Sequence, residues 1–274
     1  MLLASFFAWC LAADIKLDIA YKTVDDKPIL MDIYLPDKPV RKPVPVVFVI
    51  HGGAWISGSK KDMAALSQEL ANRGVAAVNL DYRLAPKYKW PSMLDDCQDA
   101  QRFISAHAQE YGLDPARTAA VGGSAGSHLA LLLGAGDQSQ GATKVPRLRG
   151  VFNMFGPADL TKDFSKQVAD LVSNQVMGRP YDPDAEETKA FSPVNRIDKS
   201  MCPVYTLHGK ADPLVPVIQA SRLDEALKAL GVPHTLVLVE GMGHGVTSSD
   251  EKVDIAIKTE LVKALDWLVE KVSN

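Results

Sequence analysis

A serine stands between glycines in the sequence GGSAG at residues 122–126. This motif follows an apolar run at 119–121 and precedes a helical pattern that starts at Ser127. Strand, tight turn and helix form the setting of the Gly-x-Ser-x-Gly nucleophile elbow, in which the glycines let strand and helix approach each other. The pattern therefore predicts that Ser124 is a nucleophile whose oxygen projects from a strained turn. A glycine-rich turn with a solvent-facing serine is the alternative.

A serine hydroxyl attacks a carbonyl group efficiently only when a positioned base accepts its proton, and a carboxylate orients that base. Two downstream loops supply these groups. Asp212 lies in the sequence LHGKADPLVP, directly after a predicted strand. His244 lies in the sequence GMGHG, after the next predicted strand. Both loops are expected at the sheet edge that carries Ser124, which predicts a triad for acyl transfer in the chain order Ser, Asp, His.

Other residues could take two of these roles. Asp159 and Asp198 are alternative acids, in which case Asp212 only caps a turn. His208 precedes a glycine and is expected to shape the turn after its strand. Three further histidines lie in or beside predicted helices and strands, where a structural role is usual: His107, His128 and His234.

Acyl transfer passes through a tetrahedral oxyanion that must be met by fixed N–H donors. The sequence HGGAW at 51–55 follows an apolar strand, and small residues there let the backbone approach a substrate. We therefore expect the oxyanion hole to consist of the N–H groups of Gly53, Ala54 and Ala125. Without the serine motif, a sharp turn between strand and helix would be the preferred interpretation.

Three apolar side chains lie beside these motifs: Trp55, Phe155 and Met242. They are candidates for the walls of an acyl pocket. Membership of the hydrophobic core explains them equally well, so both interpretations stay open at this point.

The elements that would position these residues alternate regularly. Short apolar runs, which indicate strands buried on both faces, occur at 46–50, 75–78, 119–121, 151–152, 204–207 and 236–239. Helical patterns lie between and after them, at 63–73, 93–110, 129–133, 217–230 and 254–272. Alternating strands and helices predict a mostly parallel central sheet with helices on both faces.

Two segments depart from this alternation. Period-two patterns at 16–21 and 30–35, joined by a polar stretch at 23–28, predict an antiparallel N-terminal hairpin. The stretch 156–200 contains four prolines and only weak periodicity, and loops of that length are usually functional. We expect it to be an insertion over the carboxyl edge of the sheet, with a helix at 164–177. Because no Gly/Ser linker divides the chain, residues 14–274 are predicted to form one domain.

The first thirteen residues, MLLASFFAWCLAA, carry no charge. They are too short to span a bilayer, which takes about 20 residues. They are similar to the apolar core of a secretory signal, but the basic residues that should precede such a core are missing. A truncated signal peptide and an apolar segment packed on the body are both open, and with them a cytoplasmic or a secreted or periplasmic location.

Composition excludes several classes of function. Thirty basic and thirty-three acidic residues give a net charge of −3 without a basic block, so no nucleic-acid partner is expected. Three cysteines, Cys10, Cys97 and Cys202, are too scattered for a disulfide framework or a zinc site. The chain has no HExxH, paired CxxC or dinucleotide-binding motif, and we expect no metal and no organic cofactor. A homo-oligomer stays open.

The motifs HGGAW at 51–55, DYRLAP at 81–86 and GSAGSHLA at 123–130, with Asp212 and His244, resemble those of α/β-hydrolase carboxylesterases. Hormone-sensitive-lipase-like esterases share these blocks but usually carry a long helical cap before the HGG turn, whereas only fifty residues precede it here. The sequence is therefore more similar to the shorter branch of acetylxylan esterases, feruloyl esterases and formamidases acting on kynurenine precursors. The resemblance implies an α/β-hydrolase fold.

The same resemblance implies a serine carboxylesterase that acts on a small-molecule ester, with acetyl or feruloyl esters of plant polysaccharides as candidate substrates. An aryl formamidase or amidase using the same triad is the alternative, and a non-enzymatic binding module on a hydrolase scaffold is a third. The resemblance also makes Asp81 and Arg83 structural residues, with Asp95 or Asp96 as partners. Since 156–200 has no long apolar run to dock on a lipid surface, short acyl chains are expected.

Overall fold

The computed structural model describes residues 14–136 and 145–274. An eight-stranded sheet runs through it in the order β1-β2-β4-β3-β5-β6-β7-β8. The strands are β1 (Asp14–Val24), β2 (Lys27–Leu35), β3 (Val44–Ile50), β4 (Ala76–Leu80), β5 (Leu113–Gly123), β6 (Val151–Met154), β7 (Val204–Gly209) and β8 (His234–Val239). The strand β2 is antiparallel to both of its neighbours, and all other pairs are parallel. This confirms the predicted mostly parallel sheet with an N-terminal antiparallel hairpin.

Helices cover the sheet on both faces. They are α1 (Ala64–Asn72), α2 (Ser92–Tyr111), α3 (Ala125–Gly134), α4 (Lys166–Leu171), α5 (Glu186–Phe191), α6 (Ile218–Leu230) and α7 (Glu251–Ser273). Every residue of β3 is buried, and its side chains alternate between two apolar cores. One core includes buried residues of α2, α3 and α6, and the other includes those of α1 and α7. The continuous apolar run at 46–50 therefore reflects burial on both faces of the sheet.

The hairpin turn is tighter than expected. The strands β1 and β2 are separated only by Asp25 and Asp26, instead of the polar stretch predicted at 23–28. Both aspartates have positive φ, 50° and 57°. A two-residue turn with positive φ at both positions matches the twist of a hairpin, and aspartate tolerates that conformation. The strands can therefore pair almost up to the turn.

The stretch 156–200 contains α4, which begins two residues after the predicted start of its helix and continues as a π-helical turn through Val172–Met177. The Ser165 side chain accepts a hydrogen bond from the Val168 N–H and caps the start of α4. That residues 14–274 form one domain stays a prediction. The predictions for residues 1–13 concern a segment outside the described residues. In the described ranges, no helix is long and apolar enough to cross a membrane.

Gly126 allows α3 to lie against β3. A Cβ atom on Gly126 would overlap the carbonyl oxygen of Ile50, the last residue of β3. The obstacle is backbone, which cannot rotate away as a side chain can. Because Gly126 lies in the first turn of α3, this contact fixes how closely the helix that follows Ser124 approaches the sheet.

We expect Gly126→Ala to lower the free energy of unfolding by about 3 kcal/mol or to prevent folding, since overpacking against backbone forces the chain apart. Gly243→Ala is the matched control, because a Cβ atom there meets nothing within 4 Å. It should change stability by less than about 0.5 kcal/mol. Urea unfolding of both variants measures the difference. Equal stability of Gly126→Ala and the wild type would contradict the steric argument.

Candidate active site

Ser124 occupies a strained turn between β5 and α3. Its backbone has φ 54° and ψ −120°, a conformation that costs a non-glycine residue on the order of 1–3 kcal/mol. Two hydrogen bonds hold it there: the Ser124 N–H donates to the Met154 carbonyl, and the Ser124 carbonyl accepts from the His128 N–H. Strain maintained by the surrounding structure is typical of a nucleophile elbow.

The structure brings Ser124, His244 and Asp212 together. His244 Nε2 lies 2.9 Å from Ser124 Oγ, and His244 Nδ1 lies 2.7 Å from Asp212 Oδ2. The carboxylate can only accept, so Nδ1–H donates to it and Nε2 is left to accept the serine proton. This is the arrangement required for a histidine base oriented by an acid.

Asp212 follows β7, and its side chain is fully buried. Its Oδ1 accepts hydrogen bonds from the N–H groups of Leu214 and Val215, each at 2.9 Å. Burial alone would raise the pKa of Asp212, but hydrogen bonds from His208, His244 and the two backbone N–H groups outweigh it and hold the pKa below its usual value. The carboxylate is therefore ionised and faces His244.

His208 also touches this acid, which the sequence interpretation did not foresee. Its Nε2–H donates to the Val215 carbonyl at 2.9 Å and lies 3.5 Å from Asp212 Oδ2. His208 thus shapes the turn, as expected, and at the same time adds a donor beside the carboxylate. The spacing HGKAD, with histidine and aspartate four residues apart around a glycine, is the signal that could have indicated this contact.

The alternative acids face elsewhere. Asp159 accepts hydrogen bonds from the N–H and hydroxyl of Thr161, and Asp198 does the same with Ser200. Within the described residues, Asp212 is the carboxylate that contacts His244.

The HGG turn lies directly beside the elbow. A Cβ atom on Gly52 would come within 2.8 Å of the Gly123 carbonyl oxygen, so the two turns are in close contact. Gly53 and Ala54 have positive φ, 104° and 51°, and the Gly53 carbonyl accepts hydrogen bonds from the N–H groups of Ile56 and Ser57. Ala125 begins α3, where N–H groups have no acceptor within the helix. That these three N–H groups form the oxyanion hole stays a prediction.

The DYR segment supports the HGG turn. Tyr82 stacks on His51, with ring centroids 4.2 Å apart, and its hydroxyl donates to the His51 carbonyl at 3.0 Å. Arg83 forms a forked ion pair with the buried Asp96, one of its two predicted partners. Asp81 instead accepts a hydrogen bond from the N–H of Lys60. Each of these residues is engaged in structural contacts.

Two cavities meet at Ser124 and His244. The first, of about 210 Å³ and hereafter the enclosed cavity, is the less open of the two, and buried residues form much of its wall. Its lining residues are Ala54, Trp55, Ser124, Pro157, Leu160, Phe164, Val168, Leu171, Val172, Leu214, Val215 and His244. The second, of about 520 Å³, is an open cleft. Its lining residues are Gly52, Gly53, Ala54, Ile56, Ser57, Gly123, Ser124, Phe155, Leu214, His244, Gly245 and Val246.

The three apolar side chains singled out in the sequence occupy different places. Trp55 lines the enclosed cavity, and Phe155 lines the open cleft with its ring 4.9 Å from that of His244. Met242 is fully buried in the core beneath α7 and lines neither cavity. Phe164, Val168 and Leu171 also line the enclosed cavity but are not among the predicted site residues, although their spacing of four and three residues is that of one helix face.

Two buried polar side chains anchor the stretch 156–200 to the body. His128, on α3, accepts from Trp55 Nε1–H at 3.3 Å and donates through Nε2–H to the Phe191 carbonyl at 2.5 Å. Gln219, on α6, accepts from the N–H groups of Ala158 and Asp159. Burial lowers the pKa of His128 to about 3, so the ring is neutral at physiological pH.

No group of three His, Cys, Asp or Glu residues among those described could hold a metal ion.

The chain is similar to a known protein family and to known esterases. A model of the BD-FAE family matches residues 31–227. The esterase LipC of Mycobacterium tuberculosis is 31% identical over 81% of this chain and 58% of its own. A probable isoprenylcysteine alpha-carbonyl methylesterase of Oryza sativa is 30% identical over 88% and 59%. The chain thus spans less than two thirds of these curated relatives.

A solved structure is similar over nearly the whole length of both chains. It is the thermophilic esterase Est2 of Thermogutta terrifontis with butyrate bound, which is 28% identical, has a TM-score of 0.76 and is covered over 94% of each chain. Together with the sheet topology, this confirms the predicted α/β-hydrolase fold.

Because His128 is neutral in the folded protein, we expect the free energy of unfolding to depend on pH. Its pKa of about 3 lies below the ordinary 6.5, so below pH 6.5 the unfolded chain binds a proton that the folded chain does not. The free energy of unfolding should therefore fall by about 2 kcal/mol between pH 7 and pH 5 from this group. His128→Gln keeps an acceptor and a donor but does not titrate.

Urea unfolding of the wild type and of His128→Gln at both pH values measures this contribution. The wild type should lose about 2 kcal/mol more than the variant between pH 7 and pH 5. The same pH dependence in both proteins would show that His128 does not carry the effect.

Proposed function

Since the chain belongs to the BD-FAE family, we propose that it is a serine carboxylesterase that hydrolyses short-chain acyl esters through an acyl-enzyme on Ser124. The observation that carries this proposal is the continuous hydrogen-bonded chain from Asp212 through His244 to Ser124. It leads to a serine on a strained turn at the junction of two cavities. A structural role alone would not require this combination.

In the proposed reaction, Ser124 Oγ attacks the ester carbonyl while His244 Nε2 takes its proton. The carbonyl oxygen becomes an oxyanion, which the N–H groups of Gly53, Ala54 and Ala125 stabilise. The intermediate collapses, and the alcohol leaves with the proton from His244. Water then repeats these steps on the acyl-enzyme and releases the acid. Asp212 stays ionised throughout and stabilises the imidazolium, in accordance with its lowered pKa.

The enclosed cavity is assigned to the acyl group. The acyl group stays attached to Ser124 from the departure of the alcohol until water cleaves the acyl-enzyme, and in that interval the alcohol must leave and water must enter from solvent. A volume of about 210 Å³ holds roughly seven water-sized groups at about 30 Å³ each. The lining is apolar apart from the catalytic groups, which suits a short aliphatic chain. The butyrate bound to Est2 is an acid of this size class.

Initial rates on p-nitrophenyl acetate, butyrate, octanoate and palmitate test the proposal. We expect kcat/KM to be highest for acetate or butyrate and to fall at least about tenfold at octanoate, because the longer chain exceeds the cavity. Ser124→Ala should lose on the order of 10⁴-fold or more in kcat. Ser249→Ala, which removes an exposed serine outside both cavities, is the matched control and should keep wild-type rates.

Three outcomes would overturn the proposed esterase function. Ester hydrolysis that survives in Ser124→Ala would remove the nucleophile from the mechanism. Turnover of a formyl anilide above that of the acetyl ester would identify an aryl formamidase instead. A folded protein that hydrolyses neither substrate and does not react with a fluorophosphonate would have a binding role.

A further inference from the structure

We propose that the alcohol part of the substrate is an uncharged, apolar alcohol or phenol that binds in the open cleft, and that it is not a sugar. This inference rests on the proposed esterase function and extends it to the half of the substrate that leaves first. It follows from the shape of the open cleft, from the chemistry of its lining and from the groups that are missing there.

The shape of the open cleft assigns it to the leaving group. Of its lining residues only Phe155 is buried, whereas Trp55, Pro157, Leu160, Val172 and Val215 are buried around the enclosed cavity. An alcohol released into the open cleft reaches solvent directly, and the hydrolytic water enters by the same route. An alcohol released into the enclosed cavity would block its own exchange with water.

The wall of the open cleft is apolar. The side chains of Ile56, Phe155, Leu214 and Val246 form it, together with glycines and Ala54. Apart from Ser124 and His244, Ser57 has the one polar side chain in this lining, and its hydroxyl donates to the Gly53 carbonyl at 3.1 Å. Beyond Ser57 and the catalytic pair, no side chain of this lining can pair with a sugar hydroxyl, whereas its apolar side chains can cover an apolar group. A hydroxyl that loses water here without finding a partner weakens binding by on the order of tenfold.

Leu214 strengthens this argument because it is an apolar side chain kept at the mouth of the site. It lines both cavities and is 53% exposed. A hydrogen bond from the Leu214 N–H to Asp212 Oδ1 ties the turn that carries it to the buried acid. An apolar group held in water beside the reacting atoms gains from being covered by an apolar ligand.

The lack of charged side chains around the two cavities also favours an uncharged alcohol. Among the residues that line either cavity, no Lys, Arg, Asp or Glu occurs. A cationic or anionic alcohol would therefore meet no opposite charge to replace its hydration. A neutral apolar alcohol loses little hydration free energy on leaving water. The lining therefore favours a neutral alcohol over a charged one.

The test keeps the acetyl group constant and varies the alcohol. The substrates are benzyl acetate, hexyl acetate and a monoacetylated methyl xyloside, and each kcat/KM is divided by the rate of alkaline hydrolysis of the same ester. We expect the two apolar acetates to exceed the sugar acetate by at least about 30-fold. The sugar hydroxyl is the better leaving group, and the division by the alkaline rate removes this difference in intrinsic reactivity from the comparison.

Two variants separate the cavities. Val246 lines the open cleft but not the enclosed cavity, and Val168 lines the enclosed cavity but not the open cleft. Val246→Ser should lower the preference for apolar over sugar acetates at least about threefold, mainly through KM, and leave the order of the p-nitrophenyl acyl series unchanged. Val168→Ser is the matched control and should change the acyl series but not the alcohol preference.

A normalised rate on the sugar acetate equal to or above that on the apolar acetates, abolished in Ser124→Ala, would overturn this inference and leave the esterase proposal standing. An alcohol preference that moves in Val168→Ser and not in Val246→Ser would overturn the assignment of the open cleft. Loss of Ser124-dependent hydrolysis on all acetates would instead refute the proposed function itself.

Discussion

The close approach of the α3 backbone to the end of β3, beside Ser124, constrains the rest of the site. Ile50 at the end of β3 pairs with Gly122 near the end of β5, so the HGG turn and the elbow leave neighbouring strands at the same level. Gly126 then lets α3 start directly against the Ile50 carbonyl. Because one contact fixes the helix, the strained serine and the adjacent turn together, the predicted oxyanion donors need no separate element to bring them to the nucleophile.

Backbone hydrogen bonds between neighbouring strands extend to the first residues of the loops at the carboxyl edge of the sheet, where His244 and Asp212 lie. The Ser124 N–H donates to the Met154 carbonyl, the Phe155 N–H to that of Leu207, and the Lys210 N–H to that of Val239. These bonds tie the first residues after β5, β6 and β7 to the neighbouring strands β6, β7 and β8, respectively. The loops that carry the triad thus start from backbone tied to the neighbouring strand, and the Asp212 carboxylate is further held by the N–H groups of Leu214 and Val215 in its own loop.

Much of this could be predicted from the sequence because it depends on local chemistry. The elbow, its strand and helix, and the order of the three polar residues follow from motifs and hydrophobic periodicity, and the fold was confirmed. The role of Met242 could not be read from its neighbours, since burial beneath α7 is a long-range property. The same holds for the contact of His208 with Asp212 and for the apolar face of α4, whose short helix continues as a π-helical turn.

The two cavities differ because their walls are held differently. The stretch 156–200 is tied to the body by buried hydrogen bonds from His128 to the Phe191 carbonyl and from the Ala158 N–H to Gln219. Because this stretch is tied to the body, we expect the enclosed cavity to limit its occupant by volume. The open cleft has no such boundary and can select only by the chemistry of its lining. On the proposed assignment of the acyl group and the alcohol, one site applies two criteria, size on the side of the acyl group and polarity on the side of the alcohol.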